Sequence, residues 1–488
     1  MSFGKLRQNK LRKKIYLTSV EKYFLLFTFF SLFLFEKNSG TPLNNIQDAA
    51  IMHTIYGTDK YYSPKIDKDD PSCKKTSLSL HFSPFFQHSG SASKAKGGKV
   101  PAGDINGRWN MFAIYYNPNA TAAQMGNLNN YNAGRVVAST YTLNHLEGKD
   151  FTVEANFNPN DPNALVGSYQ SVRIIYEKIG LRGQMSFDFA FGLGLVIKGG
   201  VANYKQIPTF TIDQNLQNRL APPPDPQPLA NPPIEDTQRF INEFLAPYPL
   251  NKIAGDLGLD LSEQRRIDLE DTHISLYWNM PFKIKEKGDL IMTLIPYVSI
   301  GAWLPLAQKK DQAKAFSLSL GNDGATGITA EGAFTFDFPD SIQIGLGGGG
   351  AFFTTQNLTN FRMPTSEFQA GIIPWTTNVT KEPGPMWYVN ASFKIDNFMP
   401  DFSFYCDYIY TEHLRDTITL KEPNAARALL FLPEKSMRES SWKIQNFNAG
   451  IKYDLSSYCA FGVALQSTIS SARTYRPTTF LGSIMITF

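Results

Sequence analysis

Strict alternation of apolar and polar residues over long stretches narrows the possible folds more than any other feature of this chain. Residues 185 to 198 set Met185, Phe187, Phe189, Phe191, Leu193, Leu195 and Ile197 on one side and Ser186, Asp188, Ala190, Gly192, Gly194, Val196 and Lys198 on the other. Ile274, Leu276, Trp278, Met280 and Phe282 alternate in the same way with Ser275, Tyr277, Asn279, Pro281 and Lys283. Trp387 to Asp396 and Phe402 to Thr411 repeat the pattern. A period of two is that of a strand with one apolar and one polar face. Sandwich strands run mostly about 5 or 6 residues, whereas bilayer-crossing strands need about 9 to 11. The four stretches are 14, 10, 10 and 10 residues long. They point to an all-β, transmembrane antiparallel barrel whose apolar face meets lipid and whose polar face lines the lumen.

Connection lengths support the same architecture, since such barrels pair tight turns at one end with long loops at the other. Short connections are expected at 178–180, 286–288, 339–340, 397–400 and 455–457, and long polar ones near 89–105, 158–167, 207–270, 308–325, 357–384 and 417–440. Segmenting the chain on this basis gives about fourteen strands, with twelve to sixteen allowed because such boundaries are uncertain by about 2 to 4 residues. The barrel is expected over 76–488, with 207–270 as a Pro-rich insertion containing 221–233 and a following helix.

The N-terminus reads as an export signal. A basic stretch from Lys5 to Lys14 precedes the 13-residue apolar block Tyr23 to Phe35, too short for a spanning helix, which needs about 20 residues, and the right size for a secretory core of about 7 to 15. Residues 1–40 are therefore taken as a signal peptide, cleaved between 36 and 50, and 41–75 as a periplasmic segment or plug. Of 47 Lys and Arg and 43 Asp and Glu, those first 40 residues hold eight and two, leaving 39 bases against 41 acids. A near-neutral body gives no reason to expect a nucleic-acid partner. No later segment reaches 18 consecutive apolar residues, which excludes a helical membrane bundle.

The last residues run Phe480-Leu481-Gly482-Ser483-Ile484-Met485-Ile486-Thr487-Phe488, with Phe480, Gly482, Ile484, Ile486 and Phe488 on one face. This ending resembles the terminal strand of bacterial outer-membrane β-barrel proteins of the porin-like or fatty-acid-transporter-like kind. The resemblance implies an assembly signal carried by Phe480, Ile484, Ile486 and Phe488 and read by the barrel-assembly machinery. It also implies residence in the outer membrane, with membrane lipid as a partner.

Other candidate chemistry is weak. Gly345-Leu346-Gly347-Gly348-Gly349-Gly350 formally matches a dinucleotide fingerprint, but a strand continuation and not a helix follows it. The six histidines lack metal spacing and no Gly-x-Ser-x-Gly elbow occurs. No cofactor, metal or enzymatic activity is expected. Cys73, Cys406 and Cys459 are too scattered for a disulfide framework. The polar rows supply mixed charge and a few aromatic groups as lumen-facing candidates: Asp188, Lys198, Tyr277, Lys283, Glu331, Asp337, Tyr388, Lys394, Asp396, Tyr405, Asp407 and Lys443. Such a lining suits a passive channel for small solutes without single-sign selectivity. The alternatives are a surface adhesin or structural barrel working through its loops, and a transporter of hydrophobic solutes.

Overall fold

In a computed structural model the described residues are 77–107, 109–110, 168–212, 258–318, 320–339, 341–365, 373, 375–429, 431–456 and 458–488. The leader, the 41–75 segment, Cys73, the polyproline run and most of the expected strands over 106–118 and 135–157 lie outside them. The described chain is a closed antiparallel meander of twelve strands: β1 (Ser77–Ser89), β2 (Ser168–Asp188), β3 (Leu193–Ile212), β4 (Thr272–Asn279), β5 (Asp289–Leu304), β6 (Gly327–Phe338), β7 (Ile342–Phe353), β8 (Met386–Met399), β9 (Phe402–His413), β10 (Trp442–Ser456), β11 (Cys459–Ala472) and β12 (Thr478–Thr487). Each pairs with its neighbour in sequence, and β12 pairs with β1 to close the wall. Two shorter strands, Gln264–Leu269 and Phe282–Glu286, extend the β4 position at either end.

The strands tilt. Following cross-strand partners from Lys283 through Asp337, Lys394, Tyr405, Leu481 and Gly180 leads back to the β4 position at Asp268, nearly a full strand above the start. That climb is the stagger a sheet needs in order to close on itself.

Alternation along each strand sorts side chains between two environments. Ile179, Leu181, Leu276, Ile300, Ile328, Phe334, Val463 and Phe480 stand exposed on the outside. Lys178, Arg182, Lys198, His273, Glu331, Asp407, Asn448 and Gln466 are buried on the inside. Aromatic pairs bound the apolar belt, with Phe402 against Tyr453 at 4.8 Å near one end and Trp387 against Tyr410 at 5.1 Å near the other. The eight residue steps from Phe402 to Tyr410, at about 3.3 Å each and a tilt near 40°, put these pairs about 20 Å apart, close to the height of a bilayer's apolar band.

Both ends of the described wall, Ser77 and Phe488, lie on the side of the short connections from Glu286 to Asp289, from Phe338 to Ile342, from Met399 to Phe402 and from Ser456 to Cys459. Lys287 and Gly288 both take positive φ, the geometry of a two-residue mirror-image hairpin turn. The turn expected at 178–180 is not there: β2 runs through it, and the chain reverses at 189–192, where Phe191 adopts φ 65°. The 207–270 insertion is also shorter than expected, because Ile207 to Ile212 prolong β3 and Gln264–Leu269 is strand.

At the opposite end the connections are folded. The upper parts of β2 and β3 carry Val172, Ile174, Tyr176, Ala202 and Tyr204 on their inner face, where they pack with Ile105, Leu259, Leu261, Phe316, Leu318 and Leu320. A second layer, the sheet Gln356–Arg362, Thr376–Glu382 and Thr417–Leu420 with helix α1 (Pro433–Ser440), encloses Met363, Val379, Ile418 and Phe431. Arg362 joins the two, donating to the carbonyls of Gly258 at 2.6 Å and Gln312 at 2.9 Å.

Candidate functional site

The interior of the wall concentrates the polar chemistry. Its most demanding element is Glu270, which sits where the strand position kinks between Leu269 and Thr272, so that Glu270 and Asp271 are both buried. The Glu270 carboxylate crosses over Gly200 of β3 to reach β2. There it accepts from Lys178 Nζ at 2.7 Å and from Arg182 Nε and Nη2 at 2.7 Å each. A Cβ at Gly200 would stand 2.5 Å from that carboxylate, so only glycine leaves the crossing open. All three charged side chains are at most 1% exposed. The Phe85 ring lies between the two cations, 5.6 Å from Lys178 Nζ and 4.0 Å from Arg182 Cζ, and offers its electron-rich face to both.

Phe85 also introduces a packing rule that recurs round the barrel. It is the direct cross-strand partner of Gly180, and its Cε1 would stand 2.8 Å from a Cβ there. Tyr277 opposes Gly194, Tyr388 opposes Gly349 and Tyr405 opposes Gly450, and in each case the ring fills the space a glycine side chain would take. Glycine on one strand gives an inward ring a seat on the next, which accounts both for the three tyrosines on the inner rows and for part of the 345–350 glycine run. We expect Gly450→Val to lower the midpoint of urea unfolding by a cost of about 1–3 kcal/mol for overpacking. Adding Tyr405→Ala should return part of it. A double variant no better than the single would refute the seating.

The remaining candidates fall as follows. Asp188, at the lower end of β2, accepts from Ser77 Oγ at 2.6 Å and from the Tyr277 hydroxyl. Tyr277 stacks on Tyr297 at 5.8 Å. Glu331 accepts from Ser299 Oγ at 3.1 Å. Lys394 pairs with Asp396 at 2.6 Å, and Asp396 also accepts from Ser403 Oγ at 3.0 Å. Lys283 and Asp337 both lie across from Thr293, so Lys283, Thr293, Asp337, Gln343 and Lys394 form one cross-strand row. Lys198 is buried beside His273, its cross-strand partner.

Lys443 corrects the sequence reading. It belongs to the row of Gln445, Phe447 and Ile451, which points away from the interior, while Trp442, Ile444 and Asn446 point in. It lies across from Glu412, in the same cross-strand row as the girdle residue Trp387. A charge is tolerated there because this is the edge of the apolar band, where long side chains reach the polar interface.

Phe480, Ile484, Ile486 and Phe488 share the outward row of β12, and Phe488 closes the wall through main-chain bonds with Leu78 at 2.8 and 3.3 Å. The residues that sequence reasoning missed, Glu270, Lys178, Arg182 and Phe85, are brought together from three distant segments, and only the seam of the fold unites them.

The described wall combines a closed, even-numbered meander, an apolar outer belt with aromatic borders, and short turns on the side of its two ends. The chain is a transmembrane β-barrel of the outer-membrane type. No protein-family model matches the sequence, and no curated protein does. Among solved structures the barrel is similar to an outer membrane channel from Pseudomonas putida F1, at 8% identity over 86% of this chain and 99% of that one, TM-score 0.39. It is also similar to the β domain of the Bordetella autotransporter BrkA, at 10% identity over 65% and 96%, TM-score 0.30. A third is the CymD monoaromatic hydrocarbon channel, at 6% identity over 85% and 89%, TM-score 0.29. Likenesses this loose say nothing of what this chain binds or passes.

Proposed function

We propose that this barrel is a passive channel for small polar solutes across the outer membrane. One observation carries the reading. Ser392, Asp407, Asn448, Gln466, Thr479, Gln87 and Lys178 are successive cross-strand partners on the inner face of seven adjacent strands. A hydrogen-bonding side chain thus stands at every step along more than half the circumference. Polar groups buried without partners cost free energy, so a wall built only to enclose an apolar core would not carry such a track. Asn448 Oδ1 and, one row-step beyond Ser392 and Gly345, Thr335 Oγ1 have no hydrogen-bond partner among the described residues. A wetted interior supplies what these oxygens need.

Purified, heat-modifiable protein should give discrete conductance steps in a planar bilayer, and Asp407→Lys should move the reversal potential under a salt gradient toward anions. Folded protein that stays silent would end the channel reading. It would favour a barrel that works at the cell surface, which the two folded layers joined by Arg362 at the outer end support.

A further inference from the structure

Glu270 and Asp271 both turn inward at the kink before β4, and Lys178 and Arg182 take up the Glu270 carboxylate. Asp271 serves a different group, the β5–β6 connection at 305–326. It accepts from the N–H of Ala307 at 3.1 Å and from that of Asn322 at 2.5 Å, so one carboxylate clasps both sides of the neck. Asp268 beside it accepts from the Gln308 N–H at 2.9 Å. The neck is tight, since a Cβ at Gly321 would stand 2.2 Å from the Asp271 carboxyl. Residues 307–322, whose ends meet on one side chain, therefore form an Ω-loop.

The loop carries its own internal bonds. Lys314 N–H donates to the Asp311 carbonyl and Ser317 N–H to the Lys314 carbonyl, both at 3.2 Å, and Asp311 N–H donates to Ser317 Oγ at 3.1 Å. Phe316, Leu318 and Leu320 are buried with Val172, Ile174, Tyr176 and Tyr204 of upper β2 and β3. The loop thus leaves the wall at β5, passes the inner side of β4 at Asp271 and ends on the inner face of β3 and β2, which lays it across the outer mouth. Its ties to the surroundings are ones that water can replace. Besides the two carboxylates they are Arg266 on the Lys309 carbonyl at 3.4 Å, Arg362 on that of Gln312, and a single bridge between Asp260 and Lys314. Among the described residues it shares no ladder with a barrel strand. Asp323 and Gly324, both at positive φ, mark the bend at its β6 end.

We infer that residues 307–322 are a lid over the outer mouth, latched by Asp271, that swings away from β2 and β3 while the wall stays closed. Burial of Phe316, Leu318 and Leu320 keeps the shut state dominant, and the hydrogen-bonded neck is what opens. The lid rests on the channel reading for its purpose, the admission of solute, but its movement is measurable without current.

Two measurements on folded full-length protein test it. Ser317 is 1% exposed, so Ser317→Cys, in a background lacking Cys73, Cys406 and Cys459, places a small thiol that reacts with a water-soluble maleimide only when the lid lifts. Adding Asp271→Ala removes two charge-assisted hydrogen bonds and should speed labelling in detergent micelles roughly tenfold to a hundredfold, with heat-modifiability unchanged. An unchanged rate would overturn the latch. The second measurement locks the lid. Asp260→Cys with Lys314→Cys sets two thiols at bridge partners whose native side chains meet at 3.0 Å. Oxidation should abolish the conductance steps in a planar bilayer, and dithiothreitol should restore them. Steps that persist unchanged in the oxidised protein would overturn the lid and leave the channel reading intact. Labelling that quickens with Asp271→Ala in a protein that never conducts would uphold the movement of the lid and end the channel reading instead.

Discussion

Replacing Glu270 by Ala should cost on the order of 3–5 kcal/mol, the range for removing one partner of a buried ion pair. The substitution takes the Glu270 carboxylate away from Lys178 and Arg182, which flank Phe85 and are both fully buried. Urea titration followed by heat-modifiability should show the midpoint falling steeply. Glu270→Gln keeps the shape and one acceptor but loses the charge, and should fall between. The triad spans β2, β3 and the kinked entry to β4, so the loss should appear in closure of the wall and not in one loop. Replacing all three partners by apolar residues of similar size should restore much of the stability, as buried ion groups are often exchangeable as a set. If Glu270→Ala unfolds at the wild-type midpoint, the interior there is wet enough to solvate the cations, and the cluster is lining and not a staple.

The general architecture was legible because period-two alternation is local. Met185 to Ile197 and Phe402 to Tyr410 announce strands long enough for a bilayer without reference to any other part of the chain. Three misplaced details had physical causes. Lys178-Ile179-Gly180 looks like a turn, a charged residue and a glycine side by side. In the fold Lys178 is held by Glu270, far away in sequence, and Gly180 is the seat of the Phe85 ring. Conversely, Phe189-Ala190-Phe191-Gly192 continues the alternation so well that a strand was expected. The chain instead reverses there at a left-handed Phe191 whose side chain is 82% exposed, a conformation uncommon for a bulky residue. Lys443 was assigned inward because charge usually is, and that holds only inside the apolar band. Cross-strand seating of rings on glycines could not be read from the sequence at all, because it depends on register between strands joined by connections of unrelated length.

Burial of charge inside and of apolar side chains outside makes sense only if the solvent outside is lipid, and that can be measured by depth. Leu276 is 58% exposed on the outward row of β4 and lies between Leu195 and Ile300, near the middle of the belt. Gln445 points outward on β10 beside the upper girdle, across from Tyr410. Arginine on the lipid face costs roughly 2–4 kcal/mol at the midplane and about 0–1 near the interface. Leu276→Arg should therefore destabilise the reconstituted barrel by the larger amount and Gln445→Arg by almost nothing, in phosphatidylcholine vesicles under reversible urea unfolding. A soluble protein would reverse the logic, since an arginine in place of an exposed leucine costs nothing in water. Equal, small effects at both positions would mean that the outer belt meets water or another protein, and the bilayer assignment would fall with it. A large effect at Gln445 and none at Leu276 would instead place the membrane at the level of the folded connections, and the wall described here would stand outside it.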